Sequence, residues 1–248
     1  MTRNLPPGPL GGLLAPLWAL GFLWRRPRMW WLAAAPLLVN LGLFAFFFWL
    51  GYRYFGTWLE GLVPAGEGWW WQVLLYLALF LAALLLLVVM AYLFSVLGRV
   101  LAAPFLELLT QQVEREVLGT VPQGPAFWIG LLRMIRQEAL KLFCYLVLMG
   151  LLLVLNLLPL VGGMLYSLLA LLVTGFFLAL DFLDYPLERR GLGLGDKLRY
   201  TRRLGLTALA FGSGVFLLVL VPLLNLALLP LAAVGGTLLY LDHPWQEG

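Results

Sequence analysis

Charged residues are scarce in this chain: they make up 11% of its 248 residues, whereas hydrophobic residues make up 63%, and the mean hydropathy is +0.96. Soluble domains carry about 25% charged residues, and so few charges cannot cover the surface of a water-soluble domain of this length. Because about 20 apolar residues cross a bilayer core, the sequence predicts an integral membrane protein with several spans. Four stretches contain no charged residue at all, namely 29–52, 68–98, 142–180 and 204–241.

Cysteine and histidine are almost absent, with one of each, Cys144 and His243. One cysteine excludes an internal disulfide, and this pair cannot supply the ligands of a zinc-type site. No Ser/His/Asp or Cys/His set is available, because the one histidine lies near the C-terminus. The chain also has no P-loop and no clustered basic face typical of nucleic-acid-binding domains. We therefore predict no catalytic residue, metal, cofactor, nucleic-acid partner or enzymatic activity.

The apolar stretches favour helices over a β-barrel, because barrel strands are about 10 residues long and alternate in polarity. All but one of the 16 Lys and Arg residues can share one membrane face if stretches 142–180 and 204–241 each return to the side on which they began. The exception is Arg53. Since Lys and Arg accumulate on the cytoplasmic side, the pattern predicts two long transmembrane helices and two helical hairpins, with the basic face in the cytoplasm.

The predicted organisation is a single all-α membrane domain over residues 1–248. Its N-terminal segment is rich in Pro and Gly, and we expect it to be partly irregular. The second transmembrane helix is expected to continue as an amphipathic cytoplasmic helix, with a kink at Pro104. The predicted parts are the N-terminal segment (1–28), the two long helices with the amphipathic extension (29–118), the first hairpin with its lead-in helix (126–182), a charged connection (183–203) and the second hairpin (204–242).

Both predicted hairpins are interrupted by residues that break a helix. The predicted tip residues are Asn156, Pro159, Gly162, Gly163, Asn225 and Pro230. The arm before Pro159 is about 25 Å long, shorter than the roughly 30 Å hydrocarbon core. Two alternatives remain open: the hairpins enter the bilayer only in part, with tips that line a substrate path, or they span it fully with proline kinks.

Three arginines near the start of the first span are candidates for an anion-binding site: Arg25, Arg26 and Arg28. Guanidinium groups near a helix N-terminus can hold an oxyanion by bidentate hydrogen bonds and by the helix dipole. The alternative is that these side chains anchor the helix to anionic lipid headgroups.

A second set of charged residues borders the apolar stretches and is a candidate pore lining or ionic network: Glu107, Glu114, Arg115, Glu138 and Lys141. Glu138 and Lys141 lie one helical turn apart, so they can pair locally or join the others at the centre of an oligomer. Ionisable groups near the membrane are functional candidates, and a carboxylate that changes its protonation state would couple transport to protons.

Pro186, in the charged connection, is expected to end the returning helix of the first hairpin. Asp181 and Asp184 would then lie at a helix C-terminus, where the dipole disfavours carboxylates. We therefore expect these two residues to have basic partners, among Arg189, Arg190 and Arg199.

Several segments together resemble one family. They are Pro27 ahead of Trp30, APLLVNLGL (35–43), LAAPFLELL (101–109) with Glu114, RQEALK (136–141), LPLVGG (158–163), DYPLERRGLGLGDKLR (184–199) and FGSGVFLLVLVPLLNLALLPLAAVGGT (211–237). In this order they are similar to the CysZ-type sulfate permeases, the bacterial branch of the etoposide-induced-protein domain family. The resemblance extends over about 27–242.

The resemblance implies two long transmembrane helices and two helical hairpins that penetrate only part of the bilayer, in a homo-oligomer surrounded by lipid. It also implies gradient-driven uptake of sulfate or a related oxyanion across the bacterial inner membrane for cysteine synthesis, without an ATPase. A membrane scaffold or assembly protein without transport activity is the alternative function. The structural signature that the resemblance assigns is Asp184, Tyr185, Pro186, Glu188 and Arg189.

Two positions depart from the family pattern. The family typically reads Pro-Gly-(Leu/Ile)-Arg-Arg at the start of the first span, and its Arg pair is implicated in sulfate binding. Trp30 and Trp31 occupy the matching positions here, and a polar residue of the family is replaced by Leu106. These departures concern the identity of the oxyanion more than the fold.

Overall fold

The computed structural model describes residues 6–62, 68–122, 127–158, 161–219 and 228–245, and its regular elements over these ranges are all helical. The α-helices are α1 (Pro9–Trp24), α2 (Trp30–Leu62), α3 (Trp69–Leu118), α4 (Phe127–Leu153), α5 (Gly162–Arg189), α6 (Leu194–Leu204), α7 (Leu206–Val219) and α8 (Leu228–Asp242). Short 3-10 turns at Pro27–Met29 and Val154–Leu157 precede α2 and follow α4. The predicted tip residues Pro159 and Asn225 lie outside the described residues.

Within the described residues, four helices are long and apolar enough to cross a membrane. The candidate spans are Pro27–Tyr54, Trp69–Met90, Arg136–Leu157 and Gly162–Arg189. No residue in the most apolar window of Trp69–Met90 is buried within the protein, as expected for a surface that faces lipid rather than a protein core. The chain is thus an all-α membrane protein, and the predicted fold class is confirmed.

The contacts divide the chain into two compact units, of which the smaller is Ala34–Phe105. It contains most of α2 and about the first three quarters of α3. Gly98 of α3 lies directly against the side chain of Asn40 in α2, so any larger residue at position 98 would displace that amide. α3 is one continuous helix of 50 residues that contains Pro104, and the predicted amphipathic extension is therefore its C-terminal part.

The larger unit, Met1–Ala33 with Leu106–Gly248, is built around α1, α5, α7 and α8. α8 is buried along nearly its whole length. Close helix approach requires small residues, and here glycines supply them: a Cβ at Gly212 of α7 would collide with the Gly175 carbonyl of α5, and one at Gly12 of α1 with the Thr207 carbonyl of α7. The GSG sequence at 212–214 is therefore a helix-packing site.

The expectation of a partly irregular N-terminal segment is wrong for Pro9–Trp24, which form α1. Gly and Pro are poor helix formers in water, but both are frequent in membrane helices. The buried face of α1 is made of small residues, and it packs against α7 and α8. The residues on this face are Gly11, Gly12, Ala15, Pro16 and Ala19.

The expectation that Pro186 ends a helix is also wrong, because α5 continues to Arg189. Proline cannot donate a hydrogen bond to the carbonyl of Phe182, and Gly236 of α8 packs against that carbonyl, where a Cβ would lie 2.6 Å from the oxygen. A neighbouring helix thus covers the interrupted turn. α5 ends instead at Arg189, and the turn after it is closed by Gly191, which has a φ of 70° and donates its N–H to the Glu188 carbonyl at 2.8 Å.

Candidate anion pocket and buried ionic clusters

The three candidate arginines lie in the turn where α1 ends and α2 begins. Arg25 is the C-terminal cap of α1, and the N–H of Arg26 donates to the carbonyl of Leu23 at 2.9 Å. The indole Nε1 of Trp30 donates to the same carbonyl at 2.8 Å, and its ring lies 5.6 Å from that of Trp24. Trp30, which stands where the family has an arginine, therefore holds this turn in place.

This turn and the C-terminal part of α3 line a pocket of about 640 Å³. Four of the lining residues are arginines and one is a carboxylate, Glu116, so the pocket carries an excess of positive charge. We call it the arginine pocket. Its lining residues are Arg25, Arg26, Pro27, Arg28, Met29, Gln112, Arg115 and Glu116.

Among the four arginines of the arginine pocket, Arg26 is the one whose guanidinium contacts other residues in the described part of the chain. Its Nη1 donates to the carbonyl of Phe22 at 3.2 Å, and its Cζ lies 3.7 Å from the centroid of the Phe22 ring. Its Nε lies 3.6 Å from Oε2 of Glu116. Arg25, Arg28 and Arg115 are exposed, and none of their guanidinium groups forms an ion pair or hydrogen bond with another residue that the structure describes.

A first buried ionic cluster surrounds two lysines. Lys141 of α4 contacts Glu138 at 2.7 Å and two residues of α5, Asp181 at 2.9 Å and Asp184 at 3.1 Å. Lys197 of α6 reaches into the same place and pairs with Asp184 and Glu188. It also donates to Oε1 of Gln137 at 2.6 Å. We call this group the lysine cluster: Glu138, Lys141, Asp181, Asp184, Glu188 and Lys197.

A second cluster joins the end of α5 to α3. Arg189 donates from Nη2 to the hydroxyl of Thr110 at 2.9 Å, and its Nε lies 3.4 Å from Oε1 of Glu107. Arg190 donates from Nη1 to Oε1 of Glu114 at 3.0 Å. Arg189 and Glu114 are almost fully buried, with side chains 1% and 0% exposed. We call this group the arginine cluster: Glu107, Glu114, Arg189 and Arg190.

The arginine cluster is further tied to α8. The Cζ of Arg190 lies 4.3 Å from the centroid of the Tyr240 ring, and its Nη1 also donates to the carbonyl of Pro186 at 2.7 Å. Arg190 therefore cross-links three helices through one side chain. Such charge-assisted contacts fix geometry well when the guanidinium satisfies several partners at once.

Charge balance distinguishes the two clusters from the arginine pocket. The lysine cluster has two cations and four carboxylates, and the arginine cluster has two of each. A dianion would be repelled by the first and would have to break buried ion pairs in the second. Of the three places, only the arginine pocket presents surplus cations that an oxyanion can reach.

Burial also perturbs a carboxyl group of the arginine cluster. Desolvation raises the pKa of Glu107 above its ordinary value, although the charge of Arg189 and a hydrogen bond from Gln111 at 3.1 Å oppose the shift. Glu107 lies beyond the candidate span of α3. Its neutral form is consequently favoured more than that of an exposed glutamate.

The structure brings together most of the predicted network residues but not all of them. Glu138 and Lys141 pair locally, as one alternative predicted, and Lys141 also joins aspartates of α5. Glu107 and Glu114 meet in the other cluster. Arg115 departs from the predicted set, because it lies on a different face of α3 and lines the arginine pocket.

The expected partners of Asp181 and Asp184 are wrong. Asp181 binds Lys141, and Asp184 binds Lys141 and Lys197, so neither pairs with an arginine of the charged connection. They lie within α5, not at its end, because α5 continues past Pro186. Arg199 instead pairs locally with Asp196, at 3.4 Å on the exposed side of α6.

The signature residues and the tip residues occupy different environments. Asp184, Glu188 and Arg189 belong to the ionic clusters, while Tyr185 is half-buried beside them and Pro186 is buried within α5. Among the tip residues, Asn156 is exposed in the 3-10 turn after α4, and Gly162 starts α5 against the Leu155 carbonyl. Gly163 is exposed on the first turn of α5, whereas Pro230 is buried in α8.

Lys197 and Gln137 were missed by the sequence reasoning. The sequence places Lys197 only within the charged connection (183–203), yet its side chain is 1% exposed. A usable signal was present: α6 is strongly amphipathic, and Lys197, Tyr200 and Thr201 form its buried face. Helical spacing of i, i+3 and i+4 could have placed the lysine on that face.

Comparisons with known proteins agree over most of the chain. The family described as "Sulfate transporter CysZ/Etoposide-induced protein 2.4" matches residues 15–230. A protein named sulfate transporter CysZ from Pectobacterium atrosepticum is 34% identical over 84% of this chain and 76% of its own length. Proteins of the same name from Pseudomonas aeruginosa and Pseudomonas fluorescens are 31% and 32% identical, over 90% and 86% of this chain and 91% and 86% of their own. The chain therefore belongs to the sulfate transporter CysZ/etoposide-induced protein 2.4 family.

Proposed function

We propose that this chain is a permease that carries sulfate across the bacterial inner membrane to supply its assimilation into cysteine. The observation that carries the proposal is the similarity to proteins named sulfate transporter CysZ, which extends over 84% or more of the chain. The candidate spans and the surplus positive charge of the arginine pocket are compatible with anion transport. Transport down a gradient is the proposed mode, by a homo-oligomer in contact with membrane lipid.

In the proposed mechanism, Arg25, Arg26 and Arg28 collect the anion. Sulfate is a tetrahedral acceptor of hydrogen bonds, and guanidinium groups can donate to it in pairs. Arg26 is held by Phe22 before an anion arrives, which lowers the entropy lost when the anion binds. The lysine and arginine clusters fix the ends of α3, α4, α5 and α6, and we propose that they border the conducting path rather than bind sulfate themselves.

The first test is uptake of radiolabelled sulfate into liposomes that contain only the purified protein. We expect saturable uptake that unlabelled sulfate abolishes and that thiosulfate or sulfite reduces more strongly than chloride. Uptake equal to that of protein-free liposomes would favour the alternative of a membrane scaffold or assembly protein without transport.

The second test concerns the arginine pocket. A variant with Arg25→Gln, Arg26→Gln and Arg28→Gln is expected to lose at least nine tenths of sulfate uptake, since three charge-assisted donors are removed, each worth roughly 1.5 kcal/mol or more. The matched control is Arg199→Gln, Arg202→Gln and Arg203→Gln, which removes the same charge from the exposed side of α6. Equal loss in both variants, at equal expression, would assign the effect to membrane anchoring.

Proton coupling is tested with an imposed pH gradient across the same liposomes. If carboxylates of the clusters exchange protons during transport, an inward proton gradient accelerates sulfate uptake. A flux that does not respond to the gradient in either direction would leave the clusters with a structural role.

A further inference from the structure

Glu116 is the carboxylate among the lining residues of the arginine pocket. It faces the guanidinium of Arg26, which is also held by Phe22. Its Oε2 lies 3.6 Å from Nε of Arg26, with side chains 52% and 28% exposed, respectively. Arg26 is fixed from the other side by the carbonyl and the ring of Phe22. An oxyanion that uses Arg26 must therefore share this guanidinium with Glu116 or displace the carboxylate.

The number of protons on the anion decides how much this competition lowers its binding affinity. Sulfate at neutral pH carries no proton, so all of its oxygens are acceptors and none can donate to a carboxylate. An oxyanion that retains a proton, such as hydrogen phosphate, can donate its O–H to Glu116 while its other oxygens accept from the arginines. A carboxylate beside the anion thus disfavours the ligand that brings no donor, because the two acceptors that face each other repel.

We propose that Glu116 is a specificity-determining residue of the arginine pocket, which weakens the binding of fully deprotonated oxyanions relative to those that carry a proton. This inference rests on the proposed function, because it assigns a role within the same anion site. The other polar side chains that line the pocket are the four arginines and the Gln112 amide, so Glu116 is the lining side chain that repels an anion. A carboxylate in this position adjusts selectivity because it repels one ligand more than the other.

The test is the ratio of two constants measured with the full-length protein in liposomes: the KM for sulfate and the inhibition constant of phosphate at neutral pH. In Glu116→Gln we expect the KM for sulfate to fall about two- to fivefold, the range expected for an exposed ion pair. The inhibition constant of phosphate is expected to stay unchanged or to rise, because its O–H loses a charged acceptor.

Two control variants separate specificity from net charge. Asp196→Asn removes the same charge from an exposed pair on α6 that does not line the pocket, and its ratio should match that of the unaltered protein. Glu116→Asp keeps the carboxylate and should also retain most of the original ratio. If Asp196→Asn lowers the KM as much as Glu116→Gln, or if sulfate and phosphate improve equally in Glu116→Gln, the proposal is overturned.

Anion binding to the purified protein, measured by calorimetry, distinguishes this inference from the proposed function. Sulfate binding without uptake would refute transport. The affinities for sulfate and phosphate could still be compared between the unaltered protein and Glu116→Gln. No binding of either anion by the unaltered protein would overturn both proposals. Binding with the same sulfate-to-phosphate ratio in the unaltered protein and in Glu116→Gln would overturn only the role of Glu116.

Discussion

Lys197 shows how one buried cation can hold three helices together. Its side chain is 1% exposed and pairs with Asp184 and Glu188 of α5 and with Gln137 of α4. A buried charge is tolerated only when it is paired and hydrogen-bonded. If the lysine were removed, Glu188 would lose the ion-pair partner that the structure describes for it, whereas Asp184 would keep Lys141.

We therefore expect Lys197→Met to destabilise the protein by about 3 to 5 kcal/mol, the usual effect of breaking a buried ion pair from one side. The measurement is thermal unfolding of the detergent-purified protein. Arg199→Gln is the control, because Arg199 forms an exposed pair on the same helix and its loss should change the stability by less than about 1 kcal/mol. Equal effects of the two substitutions would contradict the role given to the lysine cluster.

Glu107 provides a prediction about pH. Burial raises its pKa above the ordinary value of 4.5, so the folded protein binds this proton more tightly than the unfolded chain does. The resulting stabilisation is present below the ordinary pKa and is lost as the pH rises through the pKa of the folded state. In Glu107→Gln the stability does not fall in this way as the pH rises, because the amide of the introduced glutamine stays neutral.

The stability of Glu107→Gln relative to the unaltered protein should therefore increase between about pH 4 and about pH 7. The gain should stay below about 1 kcal/mol, because the Glu107 side chain is 37% exposed and solvent screens its charge. Thermal unfolding of both proteins across this pH range measures the difference. A difference that is constant with pH, or that decreases as the pH rises, would contradict the assigned shift.

Sequence reasoning identified charged residues of the clusters but not their pairing. Glu138 and Lys141 could be paired because they are neighbours on one helix. The bonds from Lys141 to Asp181 and Asp184 join residues 40 and 43 positions apart, and periodicity within one helix gives no information about such contacts. The sequence did indicate that the two aspartates needed basic partners, although it chose the wrong ones.

At the scale of helices, close packing in the larger unit depends on glycines. Gly175 of α5 and Gly212 of α7 allow these two helices to touch. A Cβ at Gly212 would collide with the backbone of Gly175, which cannot move aside as a flexible side chain could. Overpacking of this kind costs about 1 to 3 kcal/mol or more.

Gly212→Ala is accordingly expected to lower the thermal stability of the purified protein by an amount equivalent to about 1 to 3 kcal/mol. Gly150→Ala is the matched control, because Gly150 is also helical but has open space around its Cβ position. That substitution should be neutral or slightly stabilising, since alanine favours the helix more than glycine does. A stable Gly212→Ala would mean that α5 and α7 can separate without cost.

The helices that sequence reasoning predicted correctly are those with long uncharged runs, and the errors have a common physical cause. α1 is short and contains Pro and Gly, so neither length nor propensity identified it; its small residues make sense only against α7 and α8. Pro186 was expected to stop α5, but the packed Gly236 covers the interrupted turn. In both cases a tertiary contact outweighs the local preference.

For the whole molecule, helix length constrains how the hairpins can lie in the bilayer. α7 and α8 have 14 and 15 residues, about 21 and 22 Å at 1.5 Å per residue. These described lengths are shorter than the roughly 30 Å hydrocarbon core, and residues 220–227 between the two helices lie outside the described residues. The candidate spans that form the first hairpin, Arg136–Leu157 and Gly162–Arg189, are long enough to cross it by length and composition. Partial penetration of the first hairpin is therefore the part of the proposed topology that most needs an experiment.

Cysteine accessibility provides that experiment. In a Cys144→Ser background, we expect Asn156→Cys, in the turn between α4 and α5, to resist a membrane-impermeant maleimide added to intact cells, because a tip that stops inside the bilayer is not in contact with water on the far side. Gly68→Cys, just before α3, is the positive control, since the connection between the two predicted transmembrane helices lies on the side opposite the basic face that is predicted to be cytoplasmic. Labelling after denaturation in detergent confirms that each cysteine is present. If Asn156→Cys reacts as fast as Gly68→Cys, the first hairpin crosses the whole membrane and its turn cannot line a path from within the bilayer.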